Sequence, residues 1–142
     1  MGFKDPDFSY IDHTADLGIV VRGGSLKELF EAAAGALTRL MIHGAPPGQE
    51  RRSHLTLHGD DPADLMVRFL GEILYLFEGE HRILKGVSVD SVSSSNLSAT
   101  LETVPFDEGR IEIVNEIKAV TYHGSEVAEK QGHWEARIIF DL

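Results

Sequence analysis

The sequence lacks cysteine and is poor in basic residues, and each deficit excludes a class of function. With no Cys among 142 residues, disulfides, iron–sulfur clusters, cysteine-based zinc sites and thiol nucleophiles are all excluded. The chain has 13 Lys and Arg against 23 Asp and Glu, so its formal net charge is −10. Because nucleic-acid-binding proteins usually carry a basic face or stripe, we expect no direct binding of DNA or RNA.

Long hydrophobic runs and targeting signals are also missing. There is no run of about 18 apolar residues, and residues 1–6 lack a basic region leading into an apolar one. We therefore expect a cytoplasmic protein without a membrane partner. The content of 42% hydrophobic and 25% charged residues is that of an ordinary globular protein, and the length suits a single domain spanning residues 1–142.

The signatures of several common enzyme classes are absent as well. The sequence has no phosphate-binding P-loop, no dinucleotide fingerprint, no HExxH and no Gly-x-Ser-x-Gly. None of its seven His lies four residues from another on a predicted helix. His54 and His58 share a strand face, but about 13 Å of extended chain separates them. We expect these His to be surface or hydrogen-bonded structural residues.

The hydrophobic pattern predicts two helices and several strands. A broken strand from Phe8 to Val21 leads into a helix over residues 26–42, which Ser25 caps. After a strand carrying Leu55 and Leu57, a second helix begins at the Asp61 cap and ends before Gly79. Strands then predominate, so helices packed on a mostly antiparallel sheet fit better than a doubly wound parallel sheet.

In the second half of the chain, the alternation of apolar residues predicts a hairpin that turns at residues 93–96. A further strand is predicted over residues 117–123, followed by a charged connection over residues 126–132. The chain ends on a strand, in which Trp134 and every second residue after it face one way.

Two polar clusters each allow a ligand-binding and a structural interpretation. The Gly23-Gly24-Ser25 turn could hold a phosphate at a helix start, but a simple strand-to-helix turn explains it better. Asp60, Asp61 and Asp64 could hold a cation, although helix capping accounts for them equally well.

Two other clusters interrupt apolar strands and are the main candidates for chemistry. One is the segment 12–16, just before Leu17, and the other is Asp141-Leu142 at the end of the last strand. If the first and last strands are neighbours, Asp16, Asp141 and the α-carboxylate of Leu142 converge. Carboxylates about 5 Å apart repel by roughly 3 kcal/mol per pair at an effective dielectric of 20. Hard cations such as Ca²⁺, Mg²⁺ and Mn²⁺ prefer such oxygen ligands and would offset this repulsion.

At these residues the chain resembles the archease family, and the resemblance extends over nearly the whole length. The segments that carry it are YIDHTADLG at 10–18, LFEAA at 29–33, LGEILYLF at 70–77, IKAVTYH at 117–123 and WEARIIFDL at 134–142. The His-Thr-Ala-Asp block and the Phe-Asp-aliphatic end are specific in combination. The resemblance implies an α+β protein of two strand-helix-strand-strand modules, one inserted in the other.

The resemblance also implies a function and a set of site residues. Archeases act as non-catalytic protein cofactors of the GTP-dependent RNA ligase that joins 3′-phosphate or 2′,3′-cyclic phosphate ends to 5′-hydroxyl ends. They promote ligase guanylylation and multiple turnover in tRNA splicing and RNA repair. The family's divalent-cation ligands correspond to Asp16, Asp141 and Leu142, with Asp12 and His13 nearby. Ca²⁺ is the expected ion, and Mg²⁺ or Mn²⁺ are alternatives.

Two other functions compete with this one. The family has been linked to a chaperone-like role for a tRNA methyltransferase, which would require an exposed apolar patch and no cation. Alternatively, the carboxylates could form a metal-dependent phosphoester hydrolase, although no side chain stands out as an activated nucleophile or base.

Overall fold

The structure is a computed structural model that describes residues 5–11, 16–44 and 48–142. Two α-helices and nine β-strands are formed by these residues. In chain order they are β1 (Asp7–Ile11), β2 (Leu17–Gly23), α1 (Leu26–Met41), β3 (Ile42–His43), β4 (Arg51–His58), α2 (Pro62–Glu80), β5 (Arg82–Val92), β6 (Asn96–Pro105), β7 (Glu112–Ile113), β8 (Ala119–Lys130) and β9 (His133–Asp141).

The strands in the described ranges form three antiparallel sheets, which confirms the predicted α+β class. The four-stranded sheet has the order β1-β2-β9-β8, the three-stranded sheet β4-β6-β5, and β3 pairs with β7. The first two strands and the last two strands of the chain therefore share one sheet, while the three-stranded sheet comes from the residues between them. This is the inserted arrangement that the family resemblance implied.

Both helices begin at the residues that the sequence predicted. Ser25 Oγ accepts a hydrogen bond from the N–H of Glu28 at 3.1 Å, and Asp61 Oδ1 accepts one from the N–H of Asp64 at 2.8 Å. Each bond satisfies one of the free N–H groups of a first helical turn. The second helix ends at His81, whose backbone is left-handed with φ 53°.

The core lies between the helices and the two larger sheets. Helix α1 contacts β2, β5 and β9, and α2 contacts β4, β5 and β8. Phe30 of α1 and Phe69 of α2 are fully buried, with ring centroids 5.7 Å apart. Phe140 of β9 is also fully buried. Since each helix packs on strands of both sheets, this apolar contact holds the two sheets together.

One predicted connection is wrong. Residues 126–132 are not a charged loop, because β8 continues to Lys130 and pairs with β9 from Glu126↔Arg137 to Lys130↔His133. The irregularity lies earlier, in a bulge between Thr121 and Glu126. The chain instead turns at Gln131 and Gly132, which have φ of 48° and 85°. Charge misled the prediction because this hairpin arm has one solvated face.

Within the part of the chain that the structure describes, neither helix is long and apolar enough to cross a membrane.

Candidate functional site

The main candidate residues flank the end of the β2–β9 pair. The register of this pair runs as far as Leu17↔Phe140. Asp16 directly precedes Leu17, and Asp141 directly follows Phe140. β2, which belongs to the first predicted strand, and β9, which is the last strand, are therefore neighbours. This is the condition under which the sequence predicts that Asp16 and Asp141 converge. The two residues are far apart in the sequence, and the register continued by one step sets them opposite each other at one end of the two inner strands of the sheet.

The end of β9 is held from both sides. On one side β2 pairs up to Phe140. On the other side Asp141 is the cross-strand partner of Ala119, and its carbonyl oxygen accepts a hydrogen bond from the N–H of Lys118 at 2.8 Å. The backbone of Asp141 is therefore fixed, while its side chain is exposed. Leu142, which follows, is 47% exposed.

An apolar contact lies next to this strand end, on the outer face of the sheet. Ile139 is only 3% exposed, and it is the cross-strand partner of Gly18. A Cβ on Gly18 would lie 3.0 Å from Ile139 Cδ1 and 3.2 Å from Ile11 Cβ. The missing side chain lets the side chains of Ile11 and Ile139 approach each other above Gly18 from the two neighbouring strands. A glycine inside a strand often marks such a close approach, and this is the signal by which the sequence could have indicated a role for Gly18.

The cation-ligand prediction is left open by the described residues. Asp12 and His13 lie outside them. Among the residues described, no group of three or more His, Asp or Glu side chains is placed to hold a metal ion. The predicted set contains only two such side chains, Asp16 and Asp141, and takes its third ligand from the main chain at Leu142. It therefore stays a prediction.

The Asp60, Asp61 and Asp64 cluster is a helix cap. Besides the cap made by Asp61, Asp64 Oδ2 accepts hydrogen bonds from the Asp60 N–H at 2.8 Å and from Arg68 Nε at 2.9 Å. Both bonds lower the pKa of Asp64, and the bond from the Asp60 N–H has the larger effect. The carboxylates of Asp61 and Asp64 accept hydrogen bonds from protein donors, so the structural interpretation holds.

The Gly23-Gly24-Ser25 turn lies beside a cavity of about 570 Å³. Its lining includes four carboxylates, Asp5, Asp7, Glu28 and Glu31, and two basic residues, Arg22 and His133. Arg22 is already within 3.5 Å of Asp7 and 3.4 Å of a Glu135 oxygen. An excess of negative groups repels a phosphate, so the turn is best explained by the start of α1.

His54 and His58 have structural contacts, as expected. The Nδ1 of His54 lies 3.2 Å from Thr100 Oγ1, and the Nδ1 of His58 lies 3.0 Å from Asn96 Oδ1. Both contacts join β4 to β6 across the exposed face of the three-stranded sheet.

These observations define a class of protein. It is a small acidic α+β protein whose first and last core strands pair, and whose candidate site is a strand end with carboxylates rather than a nucleotide loop or a nucleophile.

The archease protein family matches residues 8–142, so the chain belongs to the archease family. Protein archease of Methanosarcina barkeri is 30% identical over 146 residues, with both chains covered completely. Protein archease of Thermoplasma acidophilum is 33% identical over 135 residues, covering 95% of this chain and 93% of the relative. An archease-like protein of Drosophila melanogaster is 30% identical, with 95% and 90% covered.

Solved structures agree with this assignment. The solution structure of Methanobacterium thermoautotrophicum protein 1598 is 32% identical with a TM-score of 0.70, covering 95% of this chain and 98% of that one. A crystal structure of a Thermotoga maritima archease, described as a possible chaperone, has a TM-score of 0.63 at 22% identity and covers 93% and 94%. The second likeness supports the fold alone.

Proposed function

We propose that this archease is a non-catalytic cofactor protein of a GTP-dependent RNA ligase in the cytoplasm, and that it promotes ligase guanylylation and multiple turnover during tRNA splicing or RNA repair. The observation that carries the proposal is the β2–β9 pairing, which sets Asp16 and Asp141 at the same end of two neighbouring strands in a chain of this family. We propose that these two carboxylates and the α-carboxylate of Leu142 hold one divalent cation, Ca²⁺ in the first instance.

The chemistry of these groups fits such an ion. Carboxylate oxygens are the preferred ligands of Ca²⁺, Mg²⁺ and Mn²⁺, and the exposed Asp141 side chain and the half-exposed Leu142 leave the strand end accessible to a partner. The ion would supply positive charge and open coordination positions for phosphate oxygens. The protein's own part is to fix the two strand ends, through the β2 and β8 pairings and the Gly18 contact.

The charge of the protein supports a ligase as its partner. A net charge of −10 complements the basic surface with which an RNA ligase binds its substrate, and opposite fields speed encounter and select partners. In this mechanism archease docks on that surface, presents Asp16 and Asp141 near the ligase active site, and leaves before RNA binds.

The direct test is guanylylation of a GTP-dependent RNA ligase from the same organism, measured with radiolabelled GTP. Asp16→Asn and Asp141→Asn should each reduce stimulation at least tenfold. Asp7→Asn is a matched control, because Asp7 lies at the opposite end of the same sheet, paired with Arg22, and it should stimulate like the wild type. Undiminished stimulation by both site variants would overturn the proposal, and phosphoester turnover by archease alone would favour the hydrolase alternative.

Leu142 needs a separate test because its proposed ligand is a main-chain group. Adding one residue after Leu142 turns the α-carboxylate into an amide and should weaken Ca²⁺ binding, whereas Leu142→Ala keeps the carboxylate and should bind normally. Equal affinity of the extended and the wild-type proteins would remove Leu142 from the site.

One observation favours a second function, chaperone-like binding of a tRNA methyltransferase. Ile113 and Val114 are 40% and 53% exposed, and Ile113 borders a cavity of about 200 Å³ that is also lined by Met41 and Phe77. If this apolar surface protects the methyltransferase, Ile113→Ser should abolish suppression of its aggregation, while Asp141→Asn should not. The opposite pattern would exclude this role.

A further inference from the structure

Two arginines meet at one end of the three-stranded sheet. Arg51 begins β4 and is the cross-strand partner of Thr103 in β6, so the two side chains share a face. Arg82 begins β5 on the other side of β6. Its Nε donates to Thr103 Oγ1 at 2.8 Å, and its Nη2 donates to the Thr103 carbonyl at 3.0 Å. The Arg82 guanidinium therefore lies beside Thr103, and the backbone of Arg51 lies opposite the same residue on the neighbouring strand.

Neither arginine has a carboxylate partner within the part of the chain that the structure describes. Two acids of this region pair with other basic residues, since Arg52 Nη2 lies 2.8 Å from Glu102 Oε1 and Lys85 pairs with Glu50. Burial lowers the pKa of Arg82, the charge of Arg51 lowers it further, and Glu80 opposes these effects less strongly. Two positive charges thus act on each other without a salt bridge to either among the described residues, and the charge of Glu80 offsets them only in part.

The arrangement also leaves many hydrogen-bond donors. A guanidinium has five N–H donors in a rigid fork. Arg82 uses two of them on Thr103, which fixes the group and leaves three. No hydrogen bond from the Arg51 side chain is found among the described residues. Such forks match the tetrahedral oxygens of a phosphate group.

We propose that Arg51 and Arg82 form a binding site for the dianionic phosphate of a phosphomonoester. Two unpaired positive charges are balanced by a dianion, whereas a phosphodiester or a carboxylate carries only one negative charge. The second pKa of a phosphomonoester is about 6, so the dianion dominates at pH 8. This site shares no residue with the candidate cation site and stands independently of the proposed ligase function.

The test is isothermal titration of the full-length protein at pH 8 with methyl phosphate, dimethyl phosphate and acetate at equal ionic strength. Methyl phosphate should bind at least tenfold more tightly than either monoanion. Arg51→Gln should reduce its affinity at least tenfold, and it should fold normally because Arg51 is exposed. Arg137→Gln is the matched control, since Arg137 is also exposed and lies in the four-stranded sheet, and it should leave the affinity unchanged.

Further titrations separate the sources of phosphate. Inorganic phosphate that binds as well as methyl phosphate indicates that the site recognises the phosphate group alone, and tighter binding of adenosine monophosphate indicates a nucleotide ligand. Absence of saturable methyl phosphate binding, equal affinity for all three anions, or equal losses in Arg51→Gln and Arg137→Gln would overturn the proposal.

Discussion

Gly18→Ala perturbs the packing directly beside the strand end that carries Asp16. The new methyl group would lie 3.0 Å from Ile139 Cδ1, 3.2 Å from Ile11 Cβ and 3.6 Å from Ile11 Cδ1. Ile139 Cδ1 is the tip of a side chain and can move. Ile11 Cβ is attached to the backbone of β1, so relief there requires the edge strand to shift.

The expected change in the free energy of unfolding is the sum of two opposing contributions. Inserting a methyl group into a tightly packed site destabilises by about 1–3 kcal/mol, while replacing Gly by Ala stabilises by about 0.4–1 kcal/mol through the unfolded chain. We therefore expect Gly18→Ala to lower the free energy of unfolding by about 0.5–2 kcal/mol.

The same substitution at Gly71 should have the opposite sign. Gly71 lies inside α2, and a Cβ added there would meet no atom within 4 Å. Ala is favoured over Gly in a helix interior by about 0.8–1 kcal/mol, so Gly71→Ala should stabilise the protein by about that amount.

Urea unfolding followed by circular dichroism measures both effects. With a denaturant slope of about 2 kcal/mol/M, Gly18→Ala should lower the midpoint by roughly 0.25–1 M, and Gly71→Ala should raise it by roughly 0.5 M. A rise of the midpoint in both variants would refute the close packing inferred between β1, β2 and β9.

Three further predictions concern the helices and their core. Asp61→Ala should lower the free energy of unfolding by about 1 kcal/mol in urea titrations, because α2 loses its N-terminal cap; no change would mean that the cap is dispensable. The pKa of Asp64 is below its ordinary value of 3.8, so its ionised form stabilises the fold above about pH 4 and this contribution is lost as the pH falls through the folded pKa. Asp64→Asn should therefore give a shallower loss of stability in acid unfolding below about pH 4, and an unchanged slope would contradict this. Phe69→Ala should cost about 3–5 kcal/mol, measured by urea unfolding, since Phe69 is fully buried against Phe30; a cost below 1 kcal/mol would contradict the core described.

The helices were predictable because their signals are local. Ser25 and Asp61 are each followed three residues later by an acidic residue and then by apolar residues at helical spacing. The same rules missed the extent of β8. Its charged residues face solvent on a hairpin arm, and the bulge after Thr121 breaks the alternation that would have marked a strand.

The individual residues of the candidate site could be predicted from the sequence, but their arrangement could not. The sequence marks Asp16 and Asp141 as polar residues at strand ends, but their adjacency depends on pairing between strands at opposite ends of the chain. The Arg51 and Arg82 pair gave no signal at all. It arises because Arg82 reaches along the sheet to Thr103, the cross-strand partner of Arg51, and no local pattern encodes that contact.

The most direct test of the account is calorimetric titration of Ca²⁺, with Mg²⁺ and Mn²⁺ in parallel, into the wild type, Asp16→Asn, Asp141→Asn and the control Asp7→Asn. One Ca²⁺ should bind per chain in the wild type and in Asp7→Asn, and at least tenfold more weakly in the two site variants. Equal Ca²⁺ affinity in all four proteins, or no binding to the wild type by any of the three ions, would contradict the proposal that the paired strand ends form a cation site.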